Sequence, residues 1–190
     1  FSKWSCRVRG PAGSQPAADV SAATGENGPP RRKRMIGAPE AADNLTYRCM
    51  RGGEEGAVCR FVHHVFDVSV RPLCRPKGRS NFRKYADPRA MARRAGTDHF
   101  ILLAVDADDR IAGVIEMRAN RHISLLFVRP DLHGRGVGSE LVAGAIGLAR
   151  RRDPGLREVT VNSSPNAVRA YRRMGFSVTG REQDIGGARS

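Results

Sequence analysis

Apolar residues along this chain follow two rhythms, a period near two that marks strands and a period near 3.6 that marks helices. His99–Val105 and Ile111–Arg118 are runs rich in Ile, Leu and Val, and the polar stretch Asp106-Ala107-Asp108-Asp109-Arg110 between them predicts a hairpin. A third run, His122–Val128, follows Ala119-Asn120-Arg121, so the three form an antiparallel meander. Upstream, residues 45–51 read as a strand. Gly52-Gly53-Glu54-Glu55 then turns into a helix over 55–68, whose acidic start complements the helix dipole. Further helices are predicted over 80–85 and over Pro88–Ala95, the latter opened by proline. After the meander, Leu141, Val142, Ala145, Ile146 and Leu148 give one apolar face to a helix over about 137–151. It leads into a strand over 158–162, and such a crossover requires parallel pairing. The predicted fold is α/β of the mixed α+β kind, a mostly antiparallel sheet flanked by helices, over residues 45–190.

Residues 10–42 are rich in Gly, Pro, Ala, Ser and Thr, with few large side chains to offset the entropy of ordering. Residues 1–44 are therefore expected to be a disordered tail, in which Arg31-Arg32-Lys33-Arg34 is a solvated charge run. The chain opens on Phe1, and Met35 lies shortly before the first predicted strand, so a natural start at Met35 is expected.

The 190 residues suit one domain, and the formal charge of +14 raises the question of a polyanionic partner. Seven basic and four acidic residues fall in 1–44, and the remaining charge is spread without an aromatic-studded basic stripe. No specific nucleic-acid partner is expected, although a positive domain attracts a phosphate-bearing ligand. Cys6, Cys49, Cys59 and Cys74 show no C-x-x-C spacing, and neighbouring His63 and His64 point about 100° apart on a helix, so no metal is expected. Apolar runs fall short of the ~18–20 residues that span a bilayer, which predicts a cytoplasmic protein away from membranes.

The candidate chemistry lies where the third meander strand hands over to a helix, at Val128-Arg129-Pro130-Asp131-Leu132-His133-Gly134-Arg135-Gly136-Val137-Gly138-Ser139-Glu140-Leu141. Amides at a helix start point into one space, and Gly134, Gly136 and Gly138 remove side chains that block a diphosphate from the main chain. A nucleotide-triphosphate loop needs Gly-Lys-Ser/Thr, whereas this chain has Gly138-Ser139-Glu140. A dinucleotide site needs G-x-G-x-x-G and an acid at the end of the next strand, whereas here the third glycine comes one residue early and the strand ends on Val161-Asn162. A glycine-rich helix start that binds nothing is the plain structural alternative.

His133 to Gly138 resembles the R/Q-x-x-G-x-G/A pyrophosphate loop of the GNAT superfamily of acetyl-CoA-dependent N-acetyltransferases, with His133 standing where that pattern has Arg or Gln. The element order from residue 45 onward is similar too, as is the second signature, Val159-Thr160-Val161-Asn162-Ser163-Ser164-Pro165-Asn166 through Tyr171 to Gly175-Phe176. In that signature Ser164 is a natural N-cap, Pro165 the first helical residue and Gly175 a stop.

The resemblance implies acetyl-CoA as acyl donor and a small-molecule or peptide amine as acceptor. It places Leu126, Phe127 and Val128 beside the pantetheine arm and His133, Gly134, Arg135, Gly136, Val137, Gly138 and Ser139 around the diphosphate. Asn166 contacts the cofactor near its sulfur, and Tyr171 protonates the departing thiolate. For the base that takes the amine proton, His122 and Glu116 are candidates, with deprotonation through water a third route. The family fold closes with a hairpin after Gly-Phe, yet residues 181–190 are polar and poor in strand formers, so the last strand is expected to be missing or truncated. The acceptor wall is then incomplete, lost, or supplied by a second subunit as in a homodimer. A non-catalytic acyl-CoA-binding or sensor module is the alternative function.

Overall fold

The computed structural model describes residues 2–9, 44–180 and 183–184. Its strands are β1 (Ser2–Arg9), β2 (Thr46–Cys49), β3 (His99–Val105), β4 (Ile111–Arg118), β5 (His122–Val128), β6 (Glu158–Ser163), β7 (Ser177–Val178) and β8 (Gln183–Asp184). Its helices are α1 (Glu55–Ser69), α2 (Pro76–Tyr85), α3 (Pro88–Ala95), α4 (Val137–Arg152) and α5 (Pro165–Arg173). The meander strands and α3 have the expected bounds. Helix α2 begins four residues earlier than expected, because Pro76 starts it after a 3₁₀ turn at Arg71–Leu73.

The sheet runs β2-β3-β4-β5-β6-β1-β7, with β8 also paired to β1. Among the described residues only the β5–β6 pair is parallel, as the α4 crossover requires. Even-numbered residues of β3 (Phe100, Leu102, Ala104) and odd-numbered residues of β4 (Ile115, Met117) pack towards α4. Their neighbours Ile101, Leu103, Val105 and Val114 pack with Val58, Val62 and Met91 of α1 and α3. Two cores thus lie on opposite faces of one sheet, as the period-two alternation demands. Helix α4 approaches β4 so closely that a Cβ on Gly113 would lie 2.8 Å from Leu141 Cδ1. Asp87 caps α3 by accepting from the Ala90 amide at 3.0 Å.

One expectation needs correction. Residues 2–9 are no disordered tail: β1 lies inside the sheet, antiparallel to β6 from Trp4↔Ser163 to Arg9↔Glu158 and to β7 at Cys6↔Val178 and Arg7↔Ser177. Its alternation of Trp4, Cys6 and Val8 with Ser5, Arg7 and Arg9 is a strand signal whose partners lie about 150 residues away. The place beside β7 that a closing strand would take is filled, and β7 and β8, two residues each, both lie along β1. Residues 10–43, with the basic run and Met35, lie outside the described residues, as do 181–182 and 185–190.

Candidate functional site

Strand β5 is the axis of the site. Its pairing with β4 shifts register by one residue between Glu116 and Met117, which leaves Ser124 as a bulge. A bulge bends its strand and increases its twist. The parallel pairing with β6 reaches only His122↔Thr160 and Ile123↔Val161. Beyond it, β5 keeps β4 on one side, and on the other it has no strand partner among the described residues. Alternate amides and carbonyls of 124–128 line that wedge, an edge that an extended amide-bearing chain can pair with.

At the open end of the wedge stands the glycine turn. A short 3₁₀ helix, Pro130–Leu132, leads into it, with Leu132 buried as its anchor. Gly134 (φ 78°) and Gly136 (φ 88°) take left-handed conformations, and a Cβ on either would meet nothing within 4 Å. The space above them is open, and a diphosphate has the room that side chains would otherwise fill. Gly136 is the N-cap of α4, and no side chain caps that end, so the first-turn amides of Val137, Gly138 and Ser139 face outward with the positive end of the helix dipole. The Val137 side chain is 2% exposed and points into the core, so its contribution to a ligand is its amide alone. A Cβ on Gly138 would sit 3.4 Å from Met174 Cε and 3.7 Å from Val128 Cγ2, ordinary van der Waals contact. Arg135 and Ser139 are exposed on the turn and the first helical turn.

His133 points back towards the strand, where its Nε2–H donates to the Val128 carbonyl at 2.9 Å. The imidazole thereby ties the turn to the end of β5. Leu126, Phe127 and Val128 are half-buried; Leu126 and Val128 pack towards α4, and Phe127 meets Phe82 of α2 with ring centroids 5.7 Å apart. Phe82 stacks in turn on Phe66 of α1 at 3.8 Å, so α1 and α2 wall the other side of the β5 end.

Tyr171, on α5, is 6% exposed, and its ring meets Phe176 edge-on at 5.4 Å. Burial pushes its hydroxyl pKa well up, with neighbouring Cys6 adding to the effect. The phenol therefore keeps its proton through the physiological range. Asn166 lies in the first turn of α5, and its side chain is outside the described residues. Ser164 occupies the N-cap position, but its side chain makes no capping bond.

The two candidate bases sit differently. His122 is half-buried where β5 and β6 still pair, and its Nδ1 lies 2.8 Å from Thr160 Oγ1. The Thr160 hydroxyl in turn donates to the Arg121 carbonyl at 3.4 Å, which leaves its oxygen able to accept from an Nδ1–H of His122. Glu116 is 0% exposed and receives Arg94 Nε at 2.9 Å and a second guanidinium N–H at 3.3 Å. Both Glu116 oxygens are thus engaged by Arg94. Arg94 also lies over the Tyr85 ring at 3.8 Å and donates to the Tyr85 carbonyl at 2.8 Å. The Tyr85 hydroxyl is buried beside Glu116 and Ser124, and burial, then the Glu116 charge, raises its pKa. Tyr85 and Arg94 were not legible as neighbours of Glu116, since nothing in the spacing ties α3 to β4. Among the described residues no group of three or more His, Cys, Asp or Glu side chains is arranged to hold a metal ion.

Residues 70–189 match the acetyltransferase (GNAT) domain family. A peptidyl-lysine N-acetyltransferase, YjaB, from Salmonella typhimurium is 37% identical over 86 residues, which are 44% of this chain and 56% of that protein. The match thus spans little more than half of the relative's length. Among solved structures, a GCN5-related N-acetyltransferase from Rhodopseudomonas palustris superposes with a TM-score of 0.59 at 21% identity, over 72% of this chain and 83% of its own. A PaiA N-acetyltransferase from Thermoplasma acidophilum in complex with coenzyme A gives 0.50 at 14% identity, over 57% and 74%, and likewise shares the fold.

Proposed function

Because the chain belongs to the GNAT acetyltransferase family, we propose that it moves an acetyl group from acetyl-CoA to the side-chain amine of a lysine in a peptide or protein. The open glycine turn at the start of α4, beside a strand edge left unpaired by the β5–β6 divergence, is the observation that carries this reading. The printed activity of the YjaB relative supports the lysine acceptor.

The amides of Val137, Gly138 and Ser139, with the helix dipole behind them, hold the diphosphate, and the backbone of Leu126, Phe127 and Val128 pairs with the pantetheine amides. An N–H from that edge polarises the thioester carbonyl, where negative charge develops. A lysine amine has an ordinary pKa near ~10.4 and must shed a proton before it attacks. His122 Nε2 is the acceptor for that proton, directly or through one water. The C–S bond then breaks, and Tyr171, whose burial keeps it protonated, supplies the proton to the leaving thiolate.

The test is thiol release from acetyl-CoA in the presence of lysine-containing peptides, with mass spectrometry of the peptides. Acetylated lysine is expected. Tight coenzyme A binding without thiol release across a wide amine panel would instead identify a non-catalytic sensor module.

A further inference from the structure

We propose that the N-terminal strand β1 is part of the catalytic site, positioning Tyr171 from the place where a closing strand was expected. This rests on the role given to Tyr171 above. Three observations carry it.

First, β1 bridges a gap in the sheet. Strands β6 and β7 are not neighbours; each pairs with β1, so the segment after α5 is held to the sheet through it. The Thr179 amide donates to the Ser5 carbonyl at 2.9 Å, which continues that attachment past β7. Second, the inward face of β1 meets the proton donor. Cys6 is 0% exposed and belongs to the same core as Tyr171 and Phe176. Burial raises the Cys6 thiol pKa, so it sits there as a neutral packing group. Third, the outward face continues a polar row. Arg7 pairs in register with Thr160, which pairs with His122, and Arg7 Nη1 bridges to Glu158 at 3.1 Å. One strand thus touches the α5 side of the sheet with Cys6 and extends the His122 side with Arg7. Helix α5 is attached at one end through β6 and at the other through β7, and β1 spans both attachments. A shift of β1 therefore moves the Tyr171 hydroxyl relative to the wedge, while the glycine turn, anchored by β5 and α4, stays in place.

The experiment uses the full chain. Hydrogen exchange followed by mass spectrometry should find amides 5–8 protected to the same degree as amides 159–162. In parallel, Cys6→Leu, which enlarges the group beneath the phenol, should lower kcat by about 100-fold, as a displacement near 1 Å does. KM for acetyl-CoA and calorimetric coenzyme A affinity should stay within about twofold, the split expected when only transition-state positioning is lost. Cys6→Ser, of nearly equal size, should retain most of kcat. Amides 5–8 exchanging at free-chain rates overturn the inference even if Cys6→Leu fails to fold. Unchanged kcat in Cys6→Leu overturns it as well. Protected amides in a wild-type chain that releases no thiol from any amine overturn the acetyl-transfer reading and leave the strand in its place.

Discussion

Replacing Tyr171 by Phe removes one oxygen from a ring already wedged against Phe176 and Cys6. Tyr171→Phe should therefore leave the fold and coenzyme A binding intact and lower kcat by about 100-fold or more, the usual worth of a positioned acid; steady-state kinetics beside calorimetry check this. Gly136 makes the opposite kind of test. Its φ of 88° suits a residue without Cβ, and the space beyond it is open. Gly136→Val adds about 1–2 kcal/mol of backbone strain and fills that space, so coenzyme A binding should drop below detection by calorimetry while the chain still folds. The left-handed backbone at Gly136 was readable beforehand because it is local: a glycine states its own backbone freedom, and a helix start states where its amides point. The part played by His133 was not readable in that way. Its bond to the Val128 carbonyl depends on how the turn folds back on the strand, which spacing alone does not specify.

Between elements, Arg94 on α3 pairs with the fully buried Glu116 on β4 at 2.9 Å. Removing one partner leaves a buried charge alone. Arg94→Met should cost about 3–5 kcal/mol, and adding Glu116→Leu should recover most of it, because an apolar pair replaces a buried ion pair at little net cost. Urea denaturation of the two single variants and the double variant measures the coupling. If Glu116 were the base instead, the double variant would be stable and inactive; with His122 in that role, it keeps measurable turnover. The meander was legible as apolar runs divided by polar turns, α3 from the proline that opens it, and α4 from its apolar face. Strand β1 was not, because the feature that decides it, pairing with β6, lies at the other end of the chain. Alternation over a few residues becomes a strand only when an unfilled lane in a sheet receives it.

At the scale of the molecule, Arg48 ties β2 to the start of α1 through Glu54 at 2.7 Å and to the β3–β4 turn through Asp109 at 2.8 Å. The Arg48 guanidinium holds the Glu54 carboxyl down at about 2, against an ordinary 4.5. A carboxylate with a depressed folded-state pKa contributes its stability above the unfolded value and loses it as pH falls through the folded one. Thermal stability should therefore decline from pH 4.5 towards pH 2, and the decline should be shallower in Glu54→Gln, as calorimetry across that range would report. The bulge at Ser124 works over the same distance. Ile123 points to the α4 core and Leu125 to the α1–α3 core, although residues two apart in an unbroken strand share a face. One supernumerary residue thus inverts the parity of everything after it. Deleting Ser124 would therefore leave Leu125 and Phe127 facing α1 and α3, and Leu126 and Val128 facing α4, while removing the bend from β5 where the wedge opens.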